Sequence, residues 1–343
     1  MSASRRRGDG CCTPILVALA VLACAWLASG CGAQSHAAAG GGSVAIALDF
    51  TPNPAHAPLY LAARQGFDRH LGVRISIIVP GSGPNTLQLL SAHRADIGVL
   101  DIDDLALAQE RGIAVVGIAG LVQRPLSAII AQASIRRPRD LDGKRVGVSG
   151  LPSDVAFMRA LINRDGGHWA TIKPVTIGFA AVAQLAAGNV AAVPAFWSDE
   201  GVALRQRGVA VREFRIEQYG APVYPEVVLV ALRSTLTHRR EAIIRALAAI
   251  ARGAHTAVTQ PGLASAVIAA ADGNGDRKLI AAQTSALAPA LLPALILHPQ
   301  VLARFSAFET RTGLIAKPLE ISGGFDFSLA PAALALAGLP ASG

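Results

Sequence analysis

The chain has 343 residues, enough for two domains, and its 52% hydrophobic content buries a core easily. Its formal net charge is +8, but the basic residues are scattered rather than clustered, so the composition argues against a nucleic-acid surface. All four cysteines lie at or before Cys31, which excludes disulfide and thiol chemistry from everything downstream.

The N-terminus carries Arg5, Arg6 and Arg7, then the apolar run 14–28, then small residues. That is the order of a secretory signal, with a run too short for a comfortable membrane span. The stretch LASGC, residues 27–31, resembles a bacterial lipobox with Cys31 as the lipidated first residue, although Ala28 stands where such boxes usually carry Leu. Cleavage near Ala33 and lipidation at Cys24 are the alternatives. Residues 1–30 are therefore expected to be a lipoprotein signal peptide. Their removal leaves a net charge of about +6. Residues 31–43, rich in Ala and Gly, read as a flexible tether.

Strand and helix patterns alternate from Ser43 onward. Strands are predicted at 44–50, 73–79, 95–100 and 113–122, with helices at 57–69, 87–93 and 103–111. A further strand follows at 127–133, then the charged turn 136–144. A second βα series runs through strands 145–150, 173–179, 190–196 and 209–216, with helices at 154–164, 180–188 and 200–207. The strand 226–232 precedes helices at 239–252, 262–271 and 278–287 and an Ala-rich tail. Sequential βα units imply parallel strands covered by helices, hence an α/β chain of two lobes. Two crossings between lobes are expected, near 131–136 and 218–226. The lobes are then 44–132 with 223–340, and 133–222.

Ligands in open α/β sheets bind beyond the carboxyl ends of strands, and the polar corners of this chain fall there. In LDFTPNPAHAPLY, residues 48–60, Pro52 and Pro54 stiffen the corner and leave Asn53 and His56 facing a helix N-terminus. Asn53 satisfies the turn or contacts a ligand, and His56 caps the helix or contacts a ligand. Tyr60 lies one turn beyond His56. The chain has three tyrosines, and the other two, Tyr219 and Tyr224, flank the second crossing. Phe196 and Trp197 end a strand, and Asp199 and Glu200 follow. Aromatic rings at such corners suit a flat ligand, and a carboxylate beside them accepts hydrogen bonds from a heterocycle or sits in the first turn of the next helix and favours its dipole. Trp197 is read as a ligand wall and Tyr219 as hinge packing. In VSGLPSD, residues 148–154, Ser153 is read as a helix N-cap in a turn that also suits an anion. The run DGNGD, 272–276, imitates a calcium loop, but Arg277 and Gln283 stand where Gly and Glu are required. The eight histidines show no metal-ligand spacing, and no nucleophile is paired with a base.

In this order, LDFTPNPAHAPLYLAARQGF, LVQRPLSAII, VGVSGLPSD, AFWSDEGVAL and YGAPVYPEVVLVAL resemble the ABC-importer solute-binding proteins of the thiamine-pyrimidine precursor group, which includes relatives of the fungal pyrimidine synthase. The likeness covers about Val44 to Leu292. It implies a type II periplasmic-binding-protein fold, two α/β lobes joined by a double-crossover hinge. It implies a monomeric, non-enzymatic protein without cofactor or metal, held by lipid at the outer face of the cell membrane and delivering a small molecule to a permease. The first motif of aminopyrimidine binders reads LDWxPNxxHxGLY. Here Asn53, His56 and Tyr60 match, and Phe50 replaces the Trp. Phe196, Trp197 and Glu200 match FWxxE, with Pro194 and Ala195 in place of small glycines. The implied ligand site is Phe50, Asn53, His56, Tyr60, Ser153, Trp197, Glu200 and Tyr224. The implied solute is a thiamine-precursor pyrimidine of hydroxymethyl or formylamino type. Riboflavin or a sulfonate- or nitrate-type anion is the alternative within the fold, and a pyrimidine-synthase-like enzyme the alternative of another class.

Overall fold

A computed structural model describes residues 42–340 other than Ser82 and Asn274. The expected signal peptide, Cys31 and all but the end of the expected tether lie outside the described residues. Ser43 already belongs to a strand, pairing with Arg74.

Among the described residues, ten strands form two five-stranded sheets. They are β1 (Ser43–Ala47), β2 (Arg74–Ile78), β3 (Ile97–Asp101), β4 (Val115–Val122), β5 (Ser127–Gln132), β6 (Arg145–Val148), β7 (Lys173–Thr176), β8 (Ala192–Phe196), β9 (Val211–Arg215) and β10 (Val227–Leu232). The first sheet has the order β2-β1-β3-β10-β4 and the second β7-β6-β8-β5-β9. In each, parallel strands pair at one side while the fourth strand runs antiparallel to both its neighbours. Those fourth strands, β10 and β5, are the ones that enter from the opposite lobe.

The first crossing therefore falls at 123–126, not at 131–136, and β5 belongs to the second lobe. The charged turn after β5 looks like a boundary in the sequence. It is only the surface connection to β6, whereas the crossing itself is the short QRPL. The second crossing follows β9 and a helical turn at Ile216–Tyr219.

The central strands are continuous apolar runs because both sheet faces are covered. Every residue of β4 and of β10 is buried. The helix Arg233–Thr259 kinks at Arg239 and lays Ile243, Leu247 and Ile250, all fully buried, against the first sheet. The helix expected over 57–69 breaks instead at Gly66, whose φ of +73° ends Ala57–Arg64 before the single turn Phe67–His70. One helix, Pro299–Thr312, serves both lobes. Its Phe305 packs in a first-lobe core, where Tyr224 stands 4.6 Å away between ring centroids, and its Phe308 packs in the second-lobe core.

Candidate ligand-binding site

The carboxyl ends of β1 and β3 face those of β6 and β8 across a cleft, where ligands of open α/β sheets bind. Each wall is built by strand-to-helix corners. In the first lobe, Asn53 caps the turn after β1, its Oδ1 accepting from the Ala55 amide at 2.9 Å. The Asn53 amide in turn donates to His56 Nδ1 at 3.2 Å. That bond requires a lone pair on Nδ1, so the ring proton sits on Nε2 and is donated to Asp49 Oδ1, 2.8 Å away. The two prolines and the histidine thus form a stiff bracket that holds Asp49 toward the cleft. His56 itself is buried behind it.

At the end of β3, Asp101 is the N-cap of the helix Ile102–Glu110, and Asp103 and Asp104 occupy its first turn. All three line the cleft. The Ile102 amide donates to the Glu226 carbonyl at 2.9 Å, fixing this corner to the start of β10.

In the second lobe, Gly150 adopts φ +109° after β6, and Asp154 reaches back to accept from the Ser149 amide. The helix there starts two residues earlier than the sequence suggests. Leu151 is the N-cap without a side-chain bond, and Ser153 is a buried first-turn residue facing Asp104 rather than a cap. After β8, Glu200 accepts from the Phe196 amide at 3.0 Å. Asp199 accepts from Gln283 Nε2, which comes from the first-lobe helix Arg277–Leu287.

The rings in the cleft are Phe50, Phe157, Phe179 and Phe196. Phe50 of the first lobe and Phe179 of the second meet at 4.2 Å between centroids, tilted by 55°. Seven carboxylates line the same space: Asp49, Asp101, Asp103, Asp104, Asp154, Asp199 and Glu200. Among the described residues, no Lys or Arg lines it.

Burial dominates their electrostatics. It pushes Asp154 and Asp199 up to about 6, although Asp154 keeps its Ser149 bonds and Asp199 feels His56 and Gln283. Asp104 rises to about 7, burial outweighing the hydrogen bond from Ser153. Glu200 rises to about 8 through burial and the neighbouring Asp199. Asp101 and Asp103 are raised well above the carboxylate range by burial and by surrounding acids.

Four of the eight residues expected in the site line the cleft: Phe50, Asn53, Ser153 and Glu200. The other four do not. His56 sits behind Asp49. Tyr60 is sealed in the first-lobe core. Tyr224 is fully buried against Phe305. Trp197 packs at the hinge: its indole Nε1 donates to the Pro125 carbonyl at 3.3 Å, and the Arg215 guanidinium lies 4.1 Å over its ring. The sequence analysis missed Phe179 and the acids of LDIDD, residues 100–104. Both stand where a predicted strand ends, which is the signal that would have found them. Attention to the rarer tyrosines and tryptophans drew it away.

A family model described as NMT1/THI5 like matches residues 53–264, more than half of the chain. The chain is 26% identical over 222 residues to a formylaminopyrimidine-binding protein of Halalkalibacterium halodurans, a match covering 64% of this chain and 67% of that protein. It is 26% identical over 110 residues to a Saccharomyces cerevisiae 4-amino-5-hydroxymethyl-2-methylpyrimidine phosphate synthase, covering 31% of this chain and 32% of the synthase. Among solved structures, it is similar to an alkanesulfonate-binding protein of Xanthomonas axonopodis pv. citri bound to MOPS. That pair is 19% identical with a TM-score of 0.68, over 83% of this chain and 98% of the other, a likeness of fold. The architecture is the type II periplasmic-binding-protein fold, and the chain belongs to the NMT1/THI5-like family.

Proposed function

We propose that the chain is the solute-binding subunit of an ABC importer and captures a small amino-bearing planar heterocycle, a thiamine-precursor pyrimidine. The observation that carries this reading is the cleft between the lobes, in which phenylalanine rings from both sides accompany carboxylates and hydroxyls. A flat ring packs on the phenylalanines. Its amino groups and ring N–H donate to Glu200, Asp199 and Asp104, and Ser127 and Ser153 serve as donors or acceptors. A ligand closes two lobes only through its differential affinity for the closed form, so contacts to both lobes are what the function requires. The names of related proteins, one a formylaminopyrimidine-binding protein, point the same way.

The acid-lined cleft offers a sulfonate or nitrate no counter-charge, since among the described residues no Lys or Arg lines it. A synthase that uses a lysine-bound cofactor also fits poorly, since Lys144, Lys173, Lys278 and Lys317 are all exposed and none lines the cleft. We further propose an extracytoplasmic monomer that presents its solute to a membrane permease while tethered by lipid at Cys31. Among the described residues, no helix is long and apolar enough to cross a membrane.

Calorimetric titration of residues 32–343 with aminopyrimidines, riboflavin and alkanesulfonates tests the reading. The expected result is saturable binding of aminopyrimidines with sulfonates inert. Binding of sulfonates or riboflavin in place of pyrimidines overturns it.

A further inference from the structure

We propose that Asp104 is a specificity-determining residue: reaching across from the first lobe, it fills the anion cradle of the second and so restricts the site to solutes without an anionic group, a pyrimidine alcohol rather than its phosphate. This deepens the reading above, and the pyrimidine part of its test rests on that reading. The corner VSGLPSD, residues 148–154, is built as such a cradle. It follows the carboxyl end of β6, turns through Gly150 at φ +109° and opens the 13-residue helix Pro152–Arg164. The first amides of a helix have no partner within it and ordinarily take an anion, a cap or water. Here the chain takes them itself. The Ser149 and Gly150 amides donate to Asp154. The Leu151 amide donates to Ser149 Oγ at 3.3 Å, and Pro152 has no amide proton to give. The Ser153 amide and hydroxyl both donate to Asp104.

Asp154 belongs to the same lobe as the cradle and fills its part whether the lobes are together or apart. Asp104 does not: it stands in the first turn of Ile102–Glu110, on the opposite wall of the cleft. The second-lobe helix has no side-chain cap of its own at Leu151, and a carboxyl from the other lobe supplies one. Asp104 is 4% exposed and Ser153 6%, so little water competes for that bond. The bond exists only while the lobes are closed. An anion already seated on the Ser153 amide meets Asp104 as the lobes approach, and a ligand that favours the open form cannot drive closure. A solute without an anionic group leaves the Asp104–Ser153 bond free to form. The exclusion rests on occupancy rather than on charge, since a carboxyl oxygen accepts a hydrogen bond in either protonation state.

The test titrates the wild type, Asp104→Ala and Asp104→Asn with 4-amino-5-hydroxymethyl-2-methylpyrimidine, with its phosphate and with inorganic phosphate. At pH 5.5, Asp104, Asp154 and Asp199 largely hold their protons, since burial pushes them up to about 7, 6 and 6, and the comparison reads occupancy. The wild type is expected to bind the alcohol and reject both phosphates. Asp104→Ala is expected to bind the phosphate ester and inorganic phosphate tighter than the wild type by about 10- to 100-fold, the worth of a hydrogen bond to a charged group, while the alcohol binds no tighter. Asp104→Asn keeps an acceptor for Ser153 and is expected to exclude phosphate as the wild type does. A merely structural role for Asp104 would weaken all probes and produce no gain. Wild-type binding of the ester as tight as the alcohol overturns the inference and leaves pyrimidine capture standing, and so does a folded Asp104→Ala that gains no phosphate binding. If that variant gains inorganic phosphate while no pyrimidine binds, the inference holds for the cradle and the reading beneath it falls. Should Asp104→Ala fail to fold, the wild-type comparison of alcohol with ester decides alone.

Discussion

Glu200 accepts a hydrogen bond from the Phe196 amide, yet burial and Asp199 beside it push its carboxyl up to about 8. Asp104 follows at about 7, and Asp154 and Asp199 at about 6. Each keeps its proton to higher pH in the folded chain than in the unfolded one. Their contribution to stability is therefore complete below the ordinary carboxylate range of about 4 and is lost as pH rises through 6 to 8. The urea midpoint of the ligand-free protein is expected to fall between pH 5 and pH 8.5. Glu200→Gln, which preserves the acceptor for Phe196, should flatten that slope at its upper end. A midpoint that rises over this interval would contradict the burial of charge described here. The rings give a second prediction at this scale. Phe179 is half-buried and stands 4.2 Å from Phe50. Phe179→Ala should weaken solute binding by about 0.5–1.5 kcal/mol, the worth of one aromatic contact. Unchanged affinity by calorimetry would remove that ring from the site.

Among the elements, the strand-to-helix corners do the positioning and the long helix supports them. Gly253 on Arg233–Thr259 lies against Ala57–Arg64. A Cβ there would collide with the Pro58 carbonyl oxygen and come within 3.2 Å of the Ala62 nitrogen. Gly253→Ala should therefore cost about 1–3 kcal/mol of stability, as overpacking does, read as a lowered denaturant midpoint. Solute affinity should persist wherever the variant is folded. This level was also the most legible in the sequence. Apolar runs bounded by turns marked the strands, because strands covered on both faces are apolar throughout. The short crossing at 123–126 was not legible, since β4 and β5 read as consecutive strands of one series and nothing in QRPL records which sheet receives β5. The site was half legible. Asn53 and Phe50 stand on a corner whose two prolines announce it. Trp197 follows β8 directly, and only tertiary packing decides that its indole turns to Pro125 and Arg215 rather than to the cleft. Asp103 looked like an ordinary first-turn acid, which helix ends favour for their own reasons.

Across the whole molecule, the lobes touch through a few defined contacts besides the two crossings. Phe50 meets Phe179, Gln283 donates to Asp199, and Arg159 Nη2 donates to the Gly313 carbonyl at 3.2 Å. Each favours the closed arrangement without needing the solute. Gln283→Ala removes one of them and should weaken solute binding by about 1 kcal/mol, the net worth of a hydrogen bond. Small-angle scattering of the ligand-free variant should show a larger radius of gyration than the wild type, and equal radii would deny Gln283 a part in closure. The account as a whole stands on the cleft between Asp103 and Glu200 being where the solute goes. A crystal structure of the protein grown with an aminopyrimidine tests this most directly. The account predicts the ring against the phenylalanines, bridging both lobes; an empty cleft, or the pyrimidine bound elsewhere on the surface, would contradict it.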